Sequence, residues 1–358
     1  MSSRRRIAVL FGGRSAEHDV SLLSASNVVK AIDASKYEIV PIGINRAGKW
    51  FLLALDSDGR LPKSIPDRGV EVSLVPGGKG RLVAISEDGA ASEIPPVDIL
   101  FPVLHGLFGE DGSVQGLAEV AGLPFVGCGV LGSAVAMDKD IAKRLLREAG
   151  LPVARSMTVR ADENPTFETA SKALGSPVFV KPARQGSSVG VSKAGDADAF
   201  RTALADALLH DSKVLVEEFV EGREIEFGVL ENPDGGLFVS VPGEISPAAS
   251  HGFYTYEAKY IDAHGAALRV PADVSVATMR QLQDMALRAF KALGCEGMAR
   301  VDFFLRADGS ALLNEVNTIP GFTNISMYPK VLGASGVPYH KLVDRLIDHA
   351  LERARRQI

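Results

Sequence analysis

The sequence predicts an α/β protein, α+β in parts, built as three domains of which the N-terminal one is an open parallel sheet. Three observations lead there. The runs at residues 7–11 and 98–104 are apolar, β-favouring and closed by glycine turns, the pattern of strands covered on both faces. Beyond residue 213, strand-like runs follow one another with turns between them, which is an antiparallel pattern. The length of 358 residues with 46% hydrophobic content is more than one core organises.

In chain order, the strand at 7–11 is broken by Gly12-Gly13, and Ser15 is expected to cap a helix over 16–31. A strand follows at Tyr37–Ile44. Residues 45–95 differ, with short apolar segments cut by Ala-Gly-Lys, Ser-Asp-Gly, Pro-Gly-Gly and Glu-Asp-Gly; they read as an insertion of short strands and turns without chemistry of their own. The strand at 98–104 runs into His105-Gly106. Clustered Gly127, Gly129 and Gly132 place a boundary near residue 130, closing an N-terminal domain of 1–130. A small central domain, 131–221, holds a helix at 138–150 ended by Gly150, strands at 177–181, 188–193 and 213–219, and a helix near 196–210. The last domain, 222–358, has antiparallel strands and helices at 274–293 and 338–356. Leu342, Leu346 and Ala350 give the final helix one apolar face, so it reads as a packing helix.

Composition removes several function classes. A net charge of −5 offers no electrostatic footprint for nucleic acid. Arg4, Arg5 and Arg6 precede an apolar run too short for a signal peptide, and nothing approaches the roughly 18–20 apolar residues of a membrane span. Cys128 and Cys295, the chain's two cysteines, have neither metal-ligand spacing nor a disulfide pattern, which suits a reduced, cytoplasmic protein.

The densest chemistry lies at residues 300–317. Asp308-Gly309 reads as a two-residue hairpin turn, which sets Asp302 opposite Glu315 and Arg300 opposite Asn317. Alternation along strands then projects two carboxylates, an amide and a guanidinium from one face. Opposed carboxylates repel unless a cation lies between them, and hard oxygen ligands suit Mg²⁺ or Mn²⁺, which travel with nucleotide phosphates. An ordinary hairpin with a solvated polar face fits the same residues.

Upstream, Lys181 leaves an apolar strand beside a loop carrying Gly186, Ser187, Ser188 and Gly190, whose N–H and hydroxyl groups could cradle phosphate. No Gly-Lys-Ser/Thr opens a helix there, so it is not a Walker A loop, and a flexible hairpin loop is the alternative. The strand at 214–220 could present its edge to an adenine, with a following carboxylate near the ribose; an acidic connector is equally compatible. His105 and Glu17 both stand beyond the carboxyl ends of strands, where open sheets bind ligands. A structural histidine and a first-turn acid are their plainer readings. Residues 252–260 read as a lid, and residues 318–326 offer N–H and O–H donors to a carboxylate or oxyanion.

Taken together, these residues resemble the D-alanine–D-alanine ligases of the ATP-grasp superfamily. The likeness rests on Gly-Gly-Arg-Ser-Ala-Glu-His (12–18), His-Gly-x-x-Gly-Glu-Asp-Gly (105–112), Met-Asp-Lys (137–139), Lys-Pro-x-x-x-Gly-Ser-Ser-Val-Gly (181–190), Tyr-Glu-Ala-Lys-Tyr (256–260), and Arg-Val-Asp with Asn-Glu-Val-Asn-Thr (300–302, 314–318). Residues 45–95 alone fall outside it.

The resemblance implies a three-domain ATP-grasp fold and a set of roles. Asp302, Glu315 and Asn317 would bind two Mg²⁺ or Mn²⁺ ions, Glu315 bridging them. Lys139 and Lys181 would hold ATP phosphates under a loop containing Ser187 and Ser188, and Lys259 would reach the transferred phosphate. Glu217 and Val220 would meet adenine through backbone groups, Phe179 and Phe304 would pack around it, and Glu224 would take the ribose. Glu218 and Asn314 complete the implied ATP-binding set. Glu17, held by Ser187 and Tyr260, would pair with the first D-alanine's ammonium, and His105 would lie near its carboxylate. Arg300 and the Gly321 N–H would face the tetrahedral oxyanion, while Ser326 and Met327 would take the second carboxylate.

The implied reaction serves peptidoglycan synthesis. One D-alanine carboxylate attacks the γ-phosphoryl group of ATP, and the second D-alanine's amine attacks the resulting acyl phosphate. A homodimer is implied as well. Two alternatives stand: a D-alanine–D-lactate ligase, against which Tyr260 argues, and an inactive nucleotide-binding paralogue, against which the retained carboxylates and Lys181 argue. A Rossmann dehydrogenase is excluded because Gly12-Gly13 opens no full Gly-x-Gly-x-x-Gly.

Overall fold

The computed structural model describes residues 4–247 and 266–356. Its first sheet contains β1 (Arg5–Gly12), β2 (Tyr37–Ile44), β3 (Trp50–Leu52), β4 (Glu71–Leu74), β5 (Leu82–Ile85), β6 (Ala91–Ile94) and β7 (Ile99–Val103), in the order β6-β5-β4-β3-β2-β1-β7. β1 runs parallel to both β2 and β7. Its continuous apolar sequence follows from cover on both faces. Ile7, Val9 and Phe11 pack with Ala25 and Val28 of α1 (His18–Ala31), while Ala8 and Leu10 pack with Val114 and Ala118 of α2 (Ser113–Ala121). The segment at 45–95 is not a separate lobe. Its four strands prolong the sheet antiparallel from β2.

Helix α1 starts later than residue 16. Glu17 occupies the position before the helix and no side chain caps it. Ser15 is spent elsewhere, donating its hydroxyl to the His105 carbonyl at 2.7 Å. The glycine cluster near 130 also conceals a helix, α3 (Val130–Met137), which passes at Asp138 into α4 (Lys139–Glu148). Asp138 caps α4 by accepting from the Ile141 N–H at 3.2 Å.

The second sheet, in the order β10-β9-β11-β8, contains β8 (Ser156–Arg160), β9 (Val178–Pro182), β10 (Ser192–Ala194) and β11 (Lys213–Glu218). Its helices are α5 (Phe167–Leu174) and α6 (Ala197–His210). The strand expected at 188–193 shrinks to β10; residues 188–191 lie in the loop before it, where Ser187 and Ser188 take left-handed φ values of 49° and 59°.

The third sheet, in the order β15-β14-β12-β16-β17 with β13 beside β12, contains β12 (Arg223–Glu231), β13 (Leu237–Val239), β14 (Gly243–Pro247), β15 (Ala266–Arg269), β16 (Met298–Leu305) and β17 (Ala311–Asn317). α7 (Val276–Ala292) covers one face together with α3 and α4, which contribute Ala136, Ala142 and Leu146 to the same core as Phe227 and Phe303. After α8 (Met327–Ala334), the last helix α9 (Tyr339–Arg356) buries Leu342, Leu346 and Ala350 against Ile7 and Phe101 of the first sheet.

The β16–β17 hairpin corrects one expectation and keeps its consequence. The turn is not two residues long: Arg306 N–H donates to the Ser310 carbonyl at 2.8 Å, enclosing three loop residues that end on Gly309 at φ 83°. Near the turn Phe303 therefore pairs with Leu313, one position off the expected register. A β-bulge at Asn314 then absorbs one residue, and beyond it Asp302 pairs with Glu315 and Arg300 with Asn317. The site end of the hairpin has the expected register because two deviations cancel.

Candidate active site

A cavity of about 490 Å³ lies between the second and third sheets. Period-two alternation supplies both walls. On β9, Val178 and Val180 enter the small core, so Phe179 and Lys181 face the cavity; on β11, Val214 and Val216 turn inward and Glu217 faces out. Across the gap, Ile225 and Phe227 of β12 and Val301 and Phe303 of β16 are core, leaving Glu224, Glu226, Arg300, Asp302 and Phe304 on the cavity face. The bulge adds Asn314 beside Glu315 on this wall.

The second-sheet side brings Lys181 to the cavity together with the acids of β11. Lys181 Nζ lies 2.5 Å from Glu217 Oε2, and Lys143 Nζ lies 2.8 Å from Glu217 Oε1. Burial works to raise the Glu217 pKa, but the lysines on either side prevail and hold it below the usual carboxylate value. Lys139, at the start of α4, donates to the Gln185 carbonyl at 2.7 Å and stands 3.7 Å from Glu315 Oε2. That contact ties the phosphate-type loop to the carboxylate wall.

On that wall Arg300 grips Asp302 with both arms, Nε to Oδ1 at 2.8 Å and a terminal nitrogen to Oδ2 at 2.7 Å. Its Nε is also 3.0 Å from Glu226 Oε2. Burial opposes the charge on Arg300, but Asp302 and Glu226 outweigh it and raise its pKa. Asn317 donates to Asp302 Oδ2 at 3.0 Å. Among the described residues, no cluster of three or more His, Cys, Asp or Glu is placed to hold a metal. Asp302 pairs with Glu315 across the hairpin and Arg300 with Asn317 beside them, so two carboxylates and an amide, whose oxygens are hard donors of the kind that suits Mg²⁺ or Mn²⁺, belong to this stretch of wall.

The first sheet closes the near end. Ser187 donates its hydroxyl to Glu17 Oε1, and a side chain at Gly186 would strike the same carboxylate, 2.7 Å from Oε2. His105 is fully engaged: Nδ1 lies 3.1 Å from the Ile319 carbonyl, which can only accept, and Nε2 lies 3.2 Å from Ser24 Oγ. Burial pushes its pKa down, which favours the neutral ring, and the Ile319 carbonyl places that ring's proton on Nδ1. Ser24 Oγ also accepts the Phe322 N–H at 3.2 Å. The histidine thus joins the strap at 319–322 to α1.

Beyond that strap, Ser326 Oγ accepts from the Thr323 N–H at 3.0 Å and lies 2.7 Å from Thr323 Oγ1. A Cβ at Gly321 would come 2.7 Å from Ser326 Oγ, so a side chain there would displace that hydroxyl. Met327 is buried with Ile245 and Val331.

The cavity gathers most of the expected nucleotide and metal residues. Lys139, Phe179, Lys181, Ser187, Ser188 and Glu217 line one side, with Glu218 and Val220 at its edge, and Glu224, Asp302, Phe304, Asn314 and Glu315 line the other. The Glu218 carboxylate is held by Arg155, through the backbone N–H and Nε at 2.8 Å each. Lys259 and Tyr260 lie outside the described residues.

Three participants escaped sequence reasoning. Glu226 follows Glu224 by two positions, and that alternation was its signal. Lys143 lies one helical turn beyond Lys139 but behind Glu217, which only the fold reveals. Glu110 lies within the 105–112 motif and accepts from Gly106 N–H at 2.9 Å and Ile319 N–H at 3.4 Å. Burial, with Glu17 and Glu315 nearby, pushes its pKa up to about 8 against the pull of those two N–H groups.

Two antiparallel sheets closing on one cavity, lysines on one wall and carboxylates on the other, define an ATP-grasp protein. Residues 6–128 match the sequence family of the D-ala D-ala ligase N-terminus and residues 145–348 that of its C-terminus. The chain belongs to the D-alanine–D-alanine ligase family. It is 62% identical over 357 residues to D-alanine–D-alanine ligase A of Mesorhizobium japonicum, covering 99% of each chain. It superposes on the D-alanine–D-alanine ligase of Coxiella burnetii with a TM-score of 0.85 and 36% identity, over 99% of this chain and 96% of that one. Against the VanG D-Ala:D-Ser ligase of Enterococcus faecalis the TM-score is 0.82 and the identity 37%, over 97% and 100% of the two chains.

Proposed function

We propose that this chain joins two D-alanine molecules at the expense of ATP, through an acyl phosphate, for peptidoglycan synthesis. One observation carries the reading: Lys139 and Lys181 line the same cavity as Asp302 and Glu315 in a chain related over its whole length to D-alanine–D-alanine ligases.

In this reading the adenine enters between Phe179 and Phe304 along the edge of β11, where Glu217 and Val220 offer backbone groups and Glu218 and Asn314 flank the site. Glu224 meets the ribose. Lys139 and Lys181 hold the phosphates, and the Ser187–Ser188 loop covers them. Asp302, Glu315 and Asn317 would hold Mg²⁺ or Mn²⁺, supplying charge neutralisation at the phosphates. Glu17 takes the first D-alanine's ammonium, with Ser187 fixing its carboxylate. His105 holds the strap at 319–322 to α1 beside that substrate.

The first substrate's carboxylate attacks the γ-phosphoryl group and ADP leaves. The second D-alanine, its carboxylate at Ser326 and Met327, attacks the acyl carbon with its amine and phosphate departs. Arg300 and the Gly321 N–H face the oxyanion of that step. Lys259 and Tyr260, in the 252–260 segment, complete the phosphate and ammonium contacts. Most of the rate comes from positioning and charge neutralisation.

We further infer a division into 1–130, 131–221 and 222–358, a cytoplasmic homodimer, and no nucleic-acid or membrane partner. Among the described residues, no helix is long and apolar enough to cross a membrane. The test is D-alanine-dependent ADP release with product identification in mixtures of D-alanine, D-serine and D-lactate near neutral pH. D-alanyl-D-alanine should dominate. A D-alanyl-D-serine or depsipeptide product would overturn the acceptor, absence of D-alanine-dependent ADP would defeat the enzyme reading, and AMP would defeat the acyl phosphate.

A further inference from the structure

Glu217 is 4% exposed and is shared by two lysines that differ in one respect. Lys181 lines the cavity; Lys143 does not. Lys143 is 2% exposed, points from α4 at the far oxygen of Glu217, and is anchored by donating to the Ala154 carbonyl at 3.3 Å. It cannot touch a nucleotide in the cavity.

We propose that Lys143 is a positioning residue for the phosphate-side lysine: a fixed buried counter-charge to Glu217 that leaves Lys181 free to exchange that carboxylate for phosphate. The proposal rests on the reading of Lys181 as a phosphate ligand. The physical reason is the cost of a buried unpaired charge. With one lysine only, Glu217 and Lys181 would form a neutral pair, and drawing Lys181 toward phosphate would strand a buried carboxylate. With Lys143 in place, Glu217 keeps a partner whichever way Lys181 turns; burial draws the Lys143 pKa down, and the adjoining Glu217 carboxylate works against that. The short contact between Lys181 and Glu217 at 2.5 Å is then the resting position of a lysine with two partners available.

The test is a double-mutant cycle on Mg·ATP affinity, measured by calorimetric titration, with steady-state kinetics alongside. Lys143→Met should weaken Mg·ATP binding and raise the KM for ATP by about tenfold or more, with kcat at saturating ATP changed by less than about twofold. In a Glu217→Gln background the same substitution should have little further effect, because Lys181 then has no buried carboxylate to abandon. Equal effects of Lys143→Met in both backgrounds would assign Lys143 a merely structural role and overturn the proposal.

If Lys143→Met does not fold, Lys143→Gln replaces it, keeping a donor for Ala154. Failure of both to fold, whether or not Glu217→Gln restores folding, would assign Lys143 to the stability of the fold and overturn the proposal. Lys181→Met separates the two levels of inference. Unchanged Mg·ATP affinity there would defeat the phosphate reading itself, whereas a loss there with none in Lys143→Met would defeat only this proposal.

Discussion

The hydroxyl of Ser187 donates to the carboxylate of Glu17, joining the loop before β10 to the start of α1 across 170 positions of sequence. The contact puts the proposed phosphate cover and the proposed ammonium acceptor in one unit. Closing the loop over a nucleotide would therefore fix Glu17 as well. A hydrogen bond to a charged group contributes about 1.5–3 kcal/mol, so Ser187→Ala should lower kcat/KM for D-alanine by roughly 10- to 150-fold. Because Glu17 is buried, losing its partner should also lower the thermal midpoint, so the kinetics are read at a temperature where the variant stays folded. Steady-state kinetics at saturating ATP checks this, and an unchanged D-alanine dependence would remove Ser187 from the substrate site.

Glu110 makes a pH prediction with a definite sign. Its folded pKa of about 8 stands above the ordinary 4.5, so the folded protein binds more protons than the unfolded chain between those values. Stability from this group is fully present below pH 4.5 and is lost as pH rises toward 8. Glu110→Gln fixes the neutral form and keeps an acceptor for the Gly106 N–H. Denaturant melts of the variant between pH 5 and 8 should show a flatter profile than those of the parent; parallel profiles would place the proton elsewhere.

Glu315 stands opposite Asp302 and 3.7 Å from Lys139. If it bridges metal ions, Glu315→Gln should abolish turnover, by at least about a thousandfold, and leave circular dichroism and the melting midpoint near those of the parent. Chelation of divalent ions should silence the parent enzyme reversibly, and Mg²⁺ or Mn²⁺ should restore it. Near-normal activity in the variant would refute the bridging role.

What the sequence revealed depended on how local the signal was. The continuous apolar run of β1 announced its two covered faces, and alternation along the 300–317 hairpin set Arg300 and Asp302 on one face. The same alternation along β9 and β12 sorts core from cavity residues only once the fold is seen. The pairing of Asp302 with Glu315 was legible for a less direct reason, since a three-residue turn and a bulge at Asn314 offset each other. α3 was hidden because its one glycine, Gly132, answers to a packing partner rather than to a loop. The roles of Lys143, Glu110 and His105 depend on neighbours far along the chain, Glu217, Ile319 and Ser24, and no spacing rule reaches across elements to find them.

Gly132 tests why a glycine stands inside α3. In a free helix, replacing glycine by alanine gains roughly 0.5–1 kcal/mol. Here a Cβ would collide with the backbone carbonyl of Gly294, at the turn after α7, and with the Cys128 sulfur. The sulfur could yield, but the carbonyl belongs to the segment that leads into β16. Overpacking of this kind costs about 1–3 kcal/mol, so the steric cost should outweigh the helical gain. Gly132→Ala should lower the thermal midpoint by a few degrees, about 2–4 °C for each kcal/mol of net loss. Because α3 runs directly into α4 and Lys139, the KM for ATP should rise while the D-alanine dependence stays closer to the parent's. A stabilised variant would show that α3 can slide away from Gly294, and that its glycine is a relic of the loop rather than a requirement of the packing.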